Sequence, residues 1–204
     1  NPDASLRGDY GGFNALQKRI KASRDLFLVI GPPGTGKTSF GMLHTLQEEL
    51  LEEDARVLVV SYTNRSVDEI CSKLYQEIDF IRLGGNVSSA ETYSECYLGS
   101  IVAECKTSAE LRDRVAAARV VVGTTSSAMS HLPLLSMDRY SLCIIDEASQ
   151  ILEPHLLPLL SLCCADGTPC ISRFVMIGDH KQLPAVVQQR SRESRVDDPS
   201  LNAI

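Results

Sequence analysis

The 204-residue sequence contains no tryptophan, and only 5% of its residues are aromatic. No apolar stretch approaches the roughly 20 residues that a helix needs to cross a bilayer, so no membrane contact is predicted. Basic residues are not in excess, since the formal net charge is −6. This charge excludes binding of nucleic acid through a generally basic surface, but not local phosphate contacts. The chain also lacks an N-terminal methionine and a signal-peptide pattern, and we expect it to be part of a longer protein.

The seven cysteines form no Cys-x-x-Cys pair. Cys163, Cys164 and Cys170 are close in sequence, but no histidine lies at the spacing of a zinc site. Most cysteines lie in or beside apolar runs, where free thiols pack as small hydrophobic groups. The sequence therefore predicts reduced thiols and a cytoplasmic or nuclear location.

Short β-branched runs alternate with amphipathic helical patterns along the chain. This alternation predicts an α/β fold, with a mainly parallel β-sheet flanked by helices. Several runs are apolar at consecutive positions, which is typical of parallel strands buried on both faces. The strands are predicted at residues 26–30, 57–61, 80–83, 119–123, 142–146 and 174–177. We interpret residues 1–204 as a single domain, with an insertion or irregular connector at 84–106 and a polar tail at 188–204.

The most specific motif is Gly31-Pro32-Pro33-Gly34-Thr35-Gly36-Lys37-Thr38, which follows a predicted strand and precedes a helix. It matches the P-loop pattern, or Walker A motif, in which glycines let backbone N–H groups approach phosphate oxygens. The helix N-terminus adds partial positive charge. We expect Lys37 to contact the β- and γ-phosphates of ATP and Thr38 to ligate Mg²⁺. Ser39 completes the predicted cofactor-binding residues.

A second motif ends the apolar run 142–145 with Asp146 and Glu147. Such a run is the Walker B pattern, in which Asp146 is expected to hold Mg²⁺. The pattern is weak alone, because strands often end at charged residues, and strong on a strand that neighbours a P-loop. Glu147 is expected to orient and deprotonate the attacking water. The alternative for Glu147 is a solvated strand end.

A third motif is a strand followed by Gly178-Asp179-His180-Lys181-Gln182-Leu183-Pro184. In open α/β sheets the ligand crevice lies at the carboxyl ends of the strands. The three motifs all follow predicted strands, so we expect them to meet there. Gln182 is expected to contact the γ-phosphate, although this segment alone is equally consistent with an ordinary turn.

In this order, the three motifs closely resemble motifs I, II and III of superfamily 1 helicases. The form Asp146-Glu147-Ala148-Ser149-Gln150, a DEAxQ box, resembles the branch that contains the RNA helicase of nonsense-mediated decay, senataxin and the DNA replication helicase–nucleases. The resemblance implies a RecA-like P-loop NTPase domain, the cofactors ATP and Mg²⁺, and 5′-to-3′ movement on single-stranded DNA or RNA. The implied catalytic residues are Lys37, Glu147 and Gln182.

Three weaker matches agree with this resemblance. Asn14-Ala15-Leu16-Gln17 is similar to the family's Q motif, which implies that Gln17 reads the adenine. Residues 61–68 (motif Ia segment) and residues 123–127 (motif Ic segment) are similar to motifs that contact the nucleic-acid backbone. The implied nucleic-acid-binding residues are Ser61, Thr63, Asn64, Arg65, Gly123, Thr124 and Thr125.

Each weaker match also has an ordinary interpretation. Gln17 would lie on a solvated helix face, Thr63 and Asn64 would cap the following helix, and Thr124 and Thr125 would simply end a strand.

The family's second RecA-like domain carries motifs IV to VI, and nothing after Pro184 resembles them. The resemblance therefore implies the first motor domain, whose partner is a second RecA-like domain of the same parent chain. The isolated domain is expected to be monomeric and slow in hydrolysis, because an absent arginine finger costs about 10³–10⁵ in rate. Two alternatives stay open: an ATPase that acts on another kind of client, and a nucleotide-binding module without turnover.

Overall fold

The computed structural model describes residues 5–32, 36–75, 77–85, 91–179 and 181, with the backbone alone for residues 37–39 and 91. Within these residues a six-stranded sheet is flanked by α-helices. The strands are β1 (Leu26–Ile30), β2 (Val57–Ser61), β3 (Phe80–Leu83), β4 (Val120–Thr124), β5 (Leu142–Ile145) and β6 (Phe174–Gly178). The α-helices are α1 (Asn14–Ala22), α2 (Leu43–Leu50), α3 (Asn64–Leu74), α4 (Leu98–Glu104), α5 (Ser108–Ala117), α6 (Thr125–Ser130), α7 (Leu132–Leu135) and α8 (Glu153–Leu160). A π-helical segment (Lys37–Met42) precedes α2, and 3₁₀ turns cover Gly11–Phe13, Glu91–Cys96 and Ala148–Gln150.

The strand order is β1-β6-β5-β2-β4-β3, and every pair is parallel. The predicted α/β fold and parallel sheet are confirmed, with strand bounds within one residue of the prediction. The P-loop strand β1 does not neighbour β5, the strand of the second motif, because β6 lies between them. Two strand spacings of about 4.8 Å place β1 and β5 roughly 10 Å apart, and the third motif stands between the first two.

Burial differs along the sheet. The strands β2 to β5 are buried at every position, as expected for parallel strands covered on both faces. Edge strand β1 instead alternates, with Leu26, Leu28 and Ile30 at 49%, 55% and 62% exposed. The expected burial on both faces is therefore confirmed for these four strands, whereas the described residues cover only one face of β1.

The segment 84–106, expected to be an insertion or irregular connector, is helical over most of its described part. Tyr93 and Tyr97 are buried in the apolar cluster on one side of the sheet, and Leu98 and Ile101 in the cluster on the other side. The segment thus wraps around the outer edge of β3. Covering an edge strand in this way removes unpaired backbone from solvent.

No helix among the described residues is long and apolar enough to cross a bilayer.

A buried carboxylate joins the N-terminal segment to the helices beside the P-loop. Glu48 in α2 is 4% exposed and accepts hydrogen bonds from the N–H groups of Arg7 (2.9 Å) and Gly8 (3.0 Å), the Tyr10 hydroxyl (2.9 Å) and the Lys21 ammonium (2.5 Å). Burial raises the pKa of Glu48, but these donors outweigh burial and lower the pKa to about 2. The charged form is therefore stabilised by folding.

We expect Glu48→Gln to lower the free energy of unfolding by about 2–3 kcal/mol at pH 7, because the neutral amide loses the charged contacts. A lowered pKa contributes stability above the unfolded value of 4.5, and this contribution disappears as pH falls to about 2. The difference between the two proteins should shrink over that window in urea unfolding. Exposed Glu53 is the matched control, and Glu53→Gln should change stability by less than about 0.5 kcal/mol.

Candidate functional site

The three main motifs meet at one edge of the sheet. Ile30 pairs with Gly178 at the ends of β1 and β6, and Ile145 of β5 pairs with Met176. The Gly31 N–H donates to the Gly178 carbonyl at 3.3 Å, which joins the first and third motifs directly. Parallel pairing places the carboxyl ends of these strands together, as the motif order implied.

The P-loop is described at its two ends. Residues 33–35 lie outside the described residues, and so do the side chains of Lys37, Thr38 and Ser39. Gly36 has a left-handed backbone with φ of +77°, and its carbonyl accepts the N–H groups of Phe40 (2.8 Å) and Gly41 (3.0 Å). A side chain at Gly36 would meet the Phe40 ring at 2.8 Å, so glycine is required where the loop turns into the helix. The roles of Lys37 and Thr38 stay predictions.

The two acidic residues of the second motif lie in different surroundings. Asp146 is 1% exposed, and its N–H donates to the Val60 carbonyl at 2.8 Å. Glu147 has φ of +53°, the one positive φ outside glycine in the described residues. Its Oε2 atom accepts hydrogen bonds from the hydroxyls of Ser66 (2.7 Å) and Ser61 (3.3 Å). A half-buried carboxylate with two hydroxyl donors does not match a solvated strand end.

The donor set fits a magnesium ion that is shared with a nucleotide. In the part of the chain that the structure describes, no group of three or more His, Cys, Asp or Glu side chains is placed to hold a metal. Mg²⁺ commonly takes one or two carboxylates and completes its octahedron with phosphate oxygens and water. Asp146 is a buried carboxylate that follows β5 at the same edge of the sheet as the P-loop, and it is a ligand of this kind.

The third motif packs tightly against the second. A side chain at Gly178 would meet the Ser149 backbone nitrogen at 3.0 Å, and the Asp179 N–H donates to the Ser149 hydroxyl at 3.3 Å. Asp179 is 4% exposed and accepts the Lys181 N–H at 2.9 Å. His180 and Gln182 lie outside the described residues, so the role of Gln182 stays a prediction.

Gln17 belongs to α1, and its side chain contacts the helix that follows the P-loop. It is 1% exposed, which rules out the solvated helix face. Its Nε2 donates to the Gly41 carbonyl at 3.2 Å, and its Oε1 accepts the Thr45 hydroxyl at 3.0 Å. The amide therefore ties α1 to the P-loop helix. Beside it, the half-exposed Phe40 ring lies 6.0 Å from the ring of Phe13.

The predicted nucleic-acid residues divide by depth. The loops that follow β2 and β4 are adjacent, since Ser61 pairs with Thr124. Thr63 is half-buried and caps α3 by accepting the Ser66 N–H at 3.1 Å, and Thr124 caps α6 in the same way. The capping interpretation is confirmed for Thr63 and wrong for Asn64, which is the first residue of α3. Thr124 ends β4, as its ordinary interpretation predicted, and Thr125 begins α6. Two of the seven residues are exposed, Asn64 and Arg65, whereas four are buried, namely Ser61, Gly123, Thr124 and Thr125.

Arg82 fixes the motif Ia segment to β3. This 1% exposed guanidinium donates to Asp68 from Nε (3.0 Å) and Nη2 (2.8 Å), and to the Asn64 side chain at 3.2 Å. It also lies 4.9 Å from the centre of the Tyr97 ring. Sequence reasoning missed this residue, although an arginine inside the apolar run 80–83 was a signal that a buried charge needed a partner.

Comparison with known proteins gives a consistent set of relatives. A family model described as an AAA domain matches residues 13–108 and 100–190. The chain is 37% identical over 197 residues to the DNA replication ATP-dependent helicase/nuclease DNA2 of Xenopus laevis, covering 93% of this chain and 17% of that protein. It is 38% identical over 180 residues to the DNA replication ATP-dependent helicase/nuclease JHS1 of Arabidopsis thaliana, covering 87% and 12%. A solved structure of the arterivirus nonstructural protein 10 helicase with DNA matches with a TM-score of 0.48 and 18% identity, over 84% of this chain and 34% of that chain. The chain thus spans less than a fifth of these two curated relatives.

The left-handed backbone at Glu147 leads to a stability prediction. We expect Glu147→Gly to be more stable than Glu147→Ala by about 1 kcal/mol, because only glycine adopts this backbone without strain. Thermal or urea unfolding of the two variants measures the difference. The matched pair is Glu69→Gly and Glu69→Ala on the exposed face of α3, where glycine should be the less stable by about 1 kcal/mol. The same order at both positions would contradict strain at Glu147.

Proposed function

The chain belongs to the AAA domain family, as the first RecA-like domain of a superfamily 1 helicase, and on this premise we propose that it is an ATP-driven motor domain that acts on single-stranded nucleic acid. The observation that carries the proposal is the convergence of three motifs at one sheet edge, joined by the Gly31–Gly178 hydrogen bond. We propose the DNA-directed form, because the relatives are named DNA replication helicase/nucleases.

In this proposal the residues of the site have distinct tasks. Backbone N–H groups of residues 31–36 and the Lys37 ammonium bind the phosphates of ATP. Thr38 and Asp146 would hold Mg²⁺, which would supply positive charge beside the phosphate oxygens. Glu147 takes a proton from the attacking water. Gln182 senses the γ-phosphate. The adenine-reading role of Gln17 stays a prediction, and its amide fixes the position of the helix that follows the P-loop.

The nucleic-acid surface of this proposal lies beside the ATP site. Exposed Asn64 and Arg65 supply side-chain contacts to phosphates, and the motif Ic segment supplies backbone groups. Contacts to the phosphate backbone carry little sequence information, so we expect weak sequence preference. A second RecA-like domain of the same parent chain completes the ATP site, and its opening and closing converts turnover into 5′-to-3′ steps.

The free thiols of the cysteines agree with the proposed intracellular location. All seven are free thiols, which suits a reducing nuclear or cytoplasmic environment.

A strained catalytic carboxylate argues for turnover rather than for binding alone. A residue in the left-handed region costs about 1–2 kcal/mol, and such strain persists where the surroundings enforce it, most often at functional sites. A module that only bound nucleotide would gain stability from glycine at position 147. This observation favours an active ATPase over a nucleotide-binding module.

We expect single-stranded DNA to stimulate ATP hydrolysis by the full-length protein, and Glu147→Gln to reduce the stimulated rate by about 10²–10⁴ while ATP still binds. Turnover is measured with single-stranded DNA, single-stranded RNA or no polymer, and ATP binding by fluorescence of a labelled analogue. The matched control is Glu153→Gln, an exposed acid of α8, which should retain the full rate.

Each other result identifies an alternative. Stimulation by RNA alone would move the proposal to an RNA motor. An ATP turnover rate that neither polymer changes would favour an ATPase that acts on another kind of client. Binding of ATP without any turnover would favour the nucleotide-binding module.

Direction of movement is tested separately. We expect the full-length protein to displace a strand from duplex DNA with a 5′ single-stranded tail at least about tenfold faster than from the same duplex with a 3′ tail. Strand displacement followed by fluorescence measures both rates, and Lys37→Ala supplies the motor-dead control. A preference for the 3′ tail would reverse the proposed direction.

A further inference from the structure

The carboxylate of Glu147 is held by the segment proposed to bind nucleic acid. Its Oε2 atom accepts the Ser66 hydroxyl at 2.7 Å and the Ser61 hydroxyl at 3.3 Å. Ser61 ends β2 and Ser66 lies in the first turn of α3. The proposed reaction needs this carboxylate to face water at the γ-phosphate, and no step of that reaction uses either serine.

The direction of each hydrogen bond follows from the groups that take part. An ionised carboxylate only accepts, so Ser66 donates its hydroxyl hydrogen to Glu147. The Thr63 hydroxyl lies 2.9 Å from the Ser66 hydroxyl, and Ser66 has no second hydrogen to give. Thr63 therefore donates to Ser66, while its own oxygen accepts the Ser66 N–H at 3.1 Å.

These contacts form a short chain from the protein surface to the catalytic carboxylate. Thr63 is half-buried next to exposed Asn64 and Arg65, and two hydrogen bonds separate it from Glu147. Hydrogen bonds in a series polarise one another, so a donor that itself accepts a hydrogen bond is the stronger donor. Loss of the hydrogen bond from Thr63 to Ser66 should therefore weaken the hydrogen bond from Ser66 to Glu147.

We propose that Ser66 is a positioning residue that holds Glu147 in a resting orientation while the nucleic-acid surface is empty. This inference rests on the proposed function. A phosphate oxygen of bound nucleic acid is a stronger acceptor than a neutral hydroxyl, and it draws the Thr63 hydroxyl away from Ser66. Ser66 then donates more weakly, and Glu147 turns to the attacking water. Ser66 couples nucleic-acid binding to hydrolysis.

The resting contact predicts a specific change in the full-length protein. We expect Ser66→Ala to raise ATP turnover without polymer by about three- to tenfold, the factor that corresponds to the net contribution of one typical hydrogen bond. The rate at saturating single-stranded DNA should stay within about twofold of the unmodified protein, so the stimulation ratio falls. Turnover against ATP and DNA concentration gives both rates and both apparent affinities.

Two variants control for structural effects. Ser66→Thr retains the hydroxyl and should keep the stimulation ratio of the unmodified protein. Ser72→Ala removes a hydroxyl from the same helix that donates to the Asp68 carbonyl at 2.8 Å, away from Glu147, and should also leave the ratio unchanged. If Ser66→Ala fails to fold, Ser61→Ala removes the other donor and should raise the turnover without polymer.

The outcomes separate this inference from the proposed function. If DNA stimulates the unmodified protein and Ser66→Ala has the same stimulation ratio, the inference is overturned and the motor function stays intact. An equal loss of both rates in Ser66→Ala, restored in Ser66→Thr, would show that Ser66 supports catalysis and would also overturn the resting role. An unmodified protein that no polymer stimulates would overturn both proposals.

Discussion

The parallel pairing of β1 with β6 and of β6 with β5 is the constraint on which the site depends. Parallel strands deliver their carboxyl ends to one edge of the sheet, so the segments that follow these three strands must meet there. Placing β6 between the other two brings the Gly178 turn against both the P-loop and the second motif. The same arrangement on an antiparallel sheet would send the middle segment to the opposite edge.

Small residues make this convergence tight. Gly178 approaches the Ser149 backbone so closely that a methyl group would touch it at 3.0 Å, and Gly36 turns the phosphate loop into its helix with a left-handed backbone. Glu147 adopts a similar backbone without being glycine. Contacts around Glu147 hold its backbone in this strained conformation, and the hydrogen bonds from the serine hydroxyls to its carboxylate are among those contacts.

The proposed catalytic edge and the proposed nucleic-acid surface share one structural element, the motif Ia segment. Its outer residues lie at the surface, its inner serines contact Glu147, and Arg82 anchors it to β3 from within the core. In the proposed function, coupling between ATP hydrolysis and nucleic-acid binding needs no long path, because this one segment contacts Glu147 and also reaches the surface.

Sequence alone determined the strand positions, the parallel fold and the position of the P-loop motif, because hydrophobic periodicity and glycine spacing depend only on residues that are close together in the chain. It did not determine that β6 separates β1 from β5, since strand order is set by which faces pack together. It also missed Arg82 and the contact between Ser66 and Glu147. Those residues are 14 or more positions from their partners, and only the tertiary structure brings such groups within hydrogen-bonding distance.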